Sequence, residues 1–111
     1  MTSTLTASTL TKGTIREMVD TGYRAQLRSL DAEYRLSVSV VHSDHIADQD
    51  QLAAIFEYDQ PEYQACLTFI TCGNNAKREA LDVDYMTKRA IIDADYQANI
   101  GAALYYDALG A

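Results

Sequence analysis

Leu81-Asp82-Val83-Asp84-Tyr85 returns eleven residues later as Ile92-Asp93-Ala94-Asp95-Tyr96. Eleven residues make almost three turns of an α-helix, so the two copies lie on one face, one above the other. The repeat predicts a long, regular helix that packs against something along Leu81, Tyr85, Ile92, Tyr96, Ile100 and Ala103. The opposite side carries Val83, Ala90, Ala94, Ala98, Tyr105, Ala108 and Leu109, where a helix with one buried face would be polar. Either other helices wrap that second side or another copy of the chain covers it.

Working back toward the N-terminus, Ile15, Val19, Tyr23, Leu27, Leu30, Tyr34, Val38 and Val41 recur at spacings of three and four. All eight fall within about 140° of one another, which predicts an amphipathic helix over 14–41. Thr14 and Glu17 have capping-box spacing at its start. Ser43 is a natural cap for a second helix carrying Ile46, Leu52, Ile55 and Phe56. Pro61, with Asp59 as a cap before it, opens a third that holds Tyr63, Cys66, Leu67 and Ile70 and closes at Gly73. Asn74 or Asn75 then opens the last helix, which runs to Leu109.

The expected fold is therefore all-α, a compact antiparallel bundle of three to four helices, the last one longest. The alternative is α+β, with a short hairpin from residues 35–41 and 64–72, both rich in β-branched residues. Residues 1–12, dominated by Ser and Thr, form a mobile arm, and 13–111 a single helical domain.

Composition excludes several functions. The 16 acidic residues outnumber 9 basic ones, giving a formal charge of −7, whereas a nucleic-acid binder clusters cations against phosphate. Direct nucleic-acid and anionic-membrane binding are not expected. No apolar run reaches the 18 or so residues of a membrane span, and no secretory leader pattern opens the chain. Cys66 and Cys72 lie about 120° apart on a helix, too divergent for a bridge. They are expected to be buried, reduced thiols of a cytoplasmic protein.

Catalytic patterns are also missing. There is no Gly-rich phosphate loop, nucleophile elbow or Cys-x-x-Cys pair. Asp82 and Asp93 stack about 16 Å apart, too far to cooperate on one bond. His42, His45 and Asp48 are the one weak metal candidate, with ligand chemistry suited to zinc or iron but drifting geometry. No cofactor is expected.

The eight tyrosines, with two Phe and no Trp, suit half-buried positions and contact surfaces. The expected function is non-enzymatic: a small acidic protein–protein interaction module forming a homo-oligomer through Tyr96, Ile100, Leu104, Tyr105 and Tyr106. The alternative is an acidic, phage-type inhibitor, mimicking nucleic acid through Asp82, Asp84, Asp93 and Asp95 to block a basic groove on another protein. A His/Asp metal-binding protein is the third reading.

Overall fold

The computed structural model describes residues 12–109. The expected Ser/Thr-rich arm lies outside them, apart from Lys12. Two α-helices account for nearly all of this span: α1, Lys12–Ile55, with 44 residues, and α2, Pro61–Leu109, with 49. The chain is all-α, but the expected bundle of three or four helices is wrong, and among the described residues there is no strand for the α+β alternative. Both 35–41 and 64–72 are helical.

Three of the expected breaks do not break the chain. Helix α1 is already formed at Lys12, ahead of the Thr14 cap, and runs straight through Ser43. Helix α2 runs through Gly73, Asn74 and Asn75. Ser, Asn and Gly each cost a helix up to about 1 kcal/mol, which lateral packing readily offsets. Packing does continue across these sites. Beyond Val41 the inward positions of α1 go on as His45, Gln49 and Leu52, and Phe56 just past its end keeps the same spacing. In α2 they run Tyr63, Leu67, Ile70, Asn74, Arg78 and Leu81. Polar members interrupt the apolar stripe while the helical face stays unbroken.

Helix α1 ends at Ile55, and Pro61, which has no N–H and therefore loses nothing in a first turn, opens α2. That start is as expected, but the cap is Gln60 rather than Asp59. The Gln60 carbonyl accepts from Tyr63 N–H at 3.0 Å and Gln64 N–H at 3.4 Å. Its side-chain Oε1 accepts from Glu57 N–H at 2.8 Å, and Gln64 Nε2 donates to the Tyr58 carbonyl at 3.2 Å. The Tyr58 and Tyr63 rings meet at 4.8 Å, with Tyr63 buried. One proline and two glutamines thus make the reversal.

The residues cluster into two compact units. One is Asp31–Thr87, in which the end of α1, the reversal and the start of α2 form an antiparallel hairpin. The other is Met1–Leu30 with Lys88–Ala111, whose described part sets the beginning of α1 antiparallel to the end of α2. Among the described residues two helices meet in each unit, so each helix buries a single stripe there. Leu52 and Tyr63 are the buried apolar side chains of the hairpin, and Leu30 and Ala103 those of the other unit. Among the described residues no helix is long and apolar enough to cross a membrane.

A consequence concerns the glycines inside the helices. A Cβ added at Gly22 or Gly73 would meet nothing within 4 Å, and neither residue has a positive φ. Gly22→Ala and Gly73→Ala should each stabilise the chain by about 1 kcal/mol, through helix propensity alone. Urea unfolding should show higher midpoints at unchanged slope, and a lower midpoint would mean that the glycine is required.

Candidate functional site

The Asp-x-x-Tyr spacing of α2 also occurs in α1, as Asp20-x-x-Tyr23 and Asp31-x-x-Tyr34, again eleven residues apart. The two helices use these motifs reciprocally. In the hairpin unit, Tyr34 Oη donates to Asp82 Oδ1, and Tyr85 Oη donates to Asp31 Oδ1 at 2.7 Å. Their rings pack against each other at 4.9 Å with a 47° tilt. In the other unit, Tyr23 Oη donates to Asp93 Oδ1 at 2.7 Å and Tyr96 Oη to Asp20 Oδ1 at 2.8 Å. The rings of Tyr23 and Tyr96 lie 4.2 Å apart at 33°.

Each layer therefore has a tyrosine from each helix at the centre and a carboxylate from each helix at the edge. The spacing of three explains it. On an antiparallel pair, Asp and Tyr at i and i+3 sit on one helix edge, so each phenol reaches the carboxylate one turn away on its neighbour. The four phenol–carboxylate bonds are charge-assisted, which makes them strong for their exposure.

This arrangement redistributes the residues singled out from sequence. Asp82 and Asp93, half of the acidic face, are acceptors in the layers, and Arg89 lies 3.8 Å from Asp93. Asp84 and Asp95 are exposed. Tyr96 and Ile100 sit on the α1-facing side, half-buried, whereas Leu104, Tyr105 and Tyr106 are exposed. Asp107 pairs with Arg16 across the helices at 3.5 Å. His42 is exposed and His45 half-buried, and among the described residues no three potential ligands group closely enough to hold a metal. Neither thiol is buried as expected: Cys66 is half-buried and Cys72 exposed, because Cys72 falls on the side of α2 turned away from α1.

Asp20 and Asp31 are the participants that sequence reasoning missed. The signal was present, since Asp-x-x-Tyr recurs in both helices at the same period, but it does not stand out in an apolar tally.

The layers have a pH signature. Donation to Asp93, Asp82 and Asp20 respectively, helped by desolvation, raises the Tyr23, Tyr34 and Tyr96 phenols above their ordinary 10.0. A phenol with a raised folded pKa contributes stability that is complete below the ordinary value and is lost as pH climbs through the folded one. Thermal stability should hold level up to about pH 10 and decline above it. The Tyr23→Phe/Tyr34→Phe/Tyr96→Phe variant should decline less steeply, and an identical alkaline limb in both would show that other groups cause it. No protein-family model, curated protein or solved structure matches the chain.

Proposed function

We propose that the chain is a small non-enzymatic module that pairs with a second copy of itself through the outer face of α2. The observation behind this reading is an exposed stripe within the unit that contains the end of α2. Ile91, Ala94, Ala98, Ala102 and Tyr105 all point away from α1, with Ile91 57% and Tyr105 67% exposed. Their offsets from Ala98 are minus seven, minus four, plus four and plus seven. All five lie within about 40° of one line along the helix.

This stripe reads the same in both directions: a large apolar residue, an alanine, a central alanine, an alanine, a large apolar residue. A two-fold axis through Ala98 would set Ile91 of one copy against Tyr105 of the other, and Ala94 against Ala102. Such self-complementarity is what an isologous interface requires, and the small residues let two helix backbones approach closely. Leu104 and Tyr106 flank the stripe and would border the contact. The reading places the protein in the cytoplasm, where free thiols such as Cys66 and Cys72 stay reduced. The inhibitor reading is weaker, since two of its four carboxylates already accept from tyrosines of the opposite helix.

The test follows from the symmetry. Ala98 would face its own copy, so Ala98→Glu brings two like charges together at the centre of the contact. Native mass by light scattering should show a salt-resistant dimer for the parent chain and a monomer for Ala98→Glu, with equal helicity by circular dichroism. In a Cys66→Ser/Cys72→Ser background, Ala98→Cys should oxidise to a covalent dimer more readily than Gln97→Cys. A parent chain that stays monomeric at every concentration would sink the reading.

A further inference from the structure

Four of the eight tyrosines, Tyr23, Tyr34, Tyr85 and Tyr96, share one chemical environment. Each phenol donates to an aspartate carboxylate of the opposite helix, at 2.7 Å from Tyr23 and Tyr85 and 2.8 Å from Tyr96. Tyr34 does the same to Asp82. All four are half-buried, and each stacks on the other tyrosine of its layer. The remaining four differ. Tyr58 and Tyr63 lie against each other, and among the described residues no carboxylate accepts from either hydroxyl. Tyr105 and Tyr106 are exposed and have no hydrogen-bond partner among the described residues.

The layered phenols are placed for chemistry that the other four are not. Taking one electron from a phenol makes its O–H strongly acidic, so the ease of the step depends on where the proton goes. Water is a poor base for it at neutral pH. An aspartate carboxylate is ionised there and is a much better one. At 2.7 to 2.8 Å the proton has only to cross an existing hydrogen bond, the reach at which positioned bases act. The second ring of each layer lies at 4.2 Å for Tyr23–Tyr96 and 4.9 Å for Tyr34–Tyr85, close enough to share the unpaired electron.

We propose that the two tyrosine layers are sites of proton-coupled one-electron oxidation, giving an electron to a high-valent metal complex that meets the protein at its surface. The phenol loses one electron, and the metal is reduced by one. The phenolic proton passes along the hydrogen bond to the aspartate. What remains is a neutral phenoxyl radical beside a neutral carboxylic acid. When an electron returns, the proton goes back by the same path and the layer is restored. The site is separate from the outer stripe of α2 and does not depend on pairing of the chain.

The test uses tris(bipyridine)ruthenium(III), generated by flash photolysis with the full chain, and follows the absorption of the phenoxyl radical. The parent should form the radical about a hundredfold faster than the Tyr23→Phe/Tyr34→Phe/Tyr85→Phe/Tyr96→Phe variant. That variant keeps Tyr58 and Tyr105, which are 75% and 67% exposed, so simple accessibility predicts no such difference. The parent's rate should also fall in deuterium oxide, because a proton moves in the same step. Asp20→Asn/Asp31→Asn/Asp82→Asn/Asp93→Asn supplies amide oxygens that still accept from the phenols but are not bases for their protons. It should be as slow as the phenylalanine variant, at equal helicity by circular dichroism. Should four changes unfold the chain, Asp20→Asn/Asp93→Asn alters one layer only and should remove about half of the fast amplitude. Equal rates in the parent and the phenylalanine variant would overturn the proposal. So would a folded asparagine variant that keeps the parent's rate or amplitude.

Discussion

A phenol donating to a carboxylate on the opposite helix is the contact that gives this protein its register. Tyr34 with Asp82 and Tyr85 with Asp31 bind the hairpin unit; Tyr23 with Asp93 and Tyr96 with Asp20 bind the other. Two helices alone bury only one stripe each, and apolar contacts along a stripe are tolerant of sliding. Directional bonds are not. A slip of one helical turn in either unit would separate each hydroxyl from its carboxylate by about 5 Å. Register is therefore carried by polar bonds at the edge of the interface, and hydrophobic burial supplies the attraction.

The period of eleven follows from the same requirement. At 3.67 residues per turn the stripe runs nearly parallel to the helix axis, so within each unit equivalent positions keep facing the neighbouring helix. Polar residues can then occupy stripe positions without ending the helix. His45, Gln49, Asn74 and Arg78 all do so. The arrangement also explains why so many large apolar side chains stay exposed, Leu36, Phe69, Val83, Ile91 and Tyr105 among them. A pair of helices has no third layer to cover its outer faces, so a face built of Ile91, Ala94, Ala98, Ala102 and Tyr105 is left uncovered in the unit that holds it.

A layer with two tyrosines and two aspartates is full and satisfied. Eleven residues beyond Tyr34 and eleven before Tyr85, the same stripe positions hold His45 and Asn74. The helical face is kept there, but a cavity of about 250 Å³ opens, and one buried polar atom of each side chain has no hydrogen-bond partner among the described residues. The tyrosine layers therefore fill the interface of the hairpin unit in a way that the helical face alone does not.

Helix was legible along most of the chain, because the spacing of Ile15 through Val41 and of Leu81 through Ala103 reports which residues share a face. Pro61 as the first residue of a helix was equally plain, since a residue without an N–H has few places to go. The number of helices was not legible. Ser43, Gly73 and Asn74 resemble stops when taken one by one, and only the packing of His45, Gln49 and Asn74 into a continuing stripe carries each helix past them. Nor could the roles of the aspartates be read locally. Asp82 and Asp93 look like a solvated face until the partners Tyr34 and Tyr23 arrive from 48 and 70 residues away. Local spacing determines which residues share a face of a helix. Which groups lie across from them depends on where the chain turns back, and that only the tertiary structure decided.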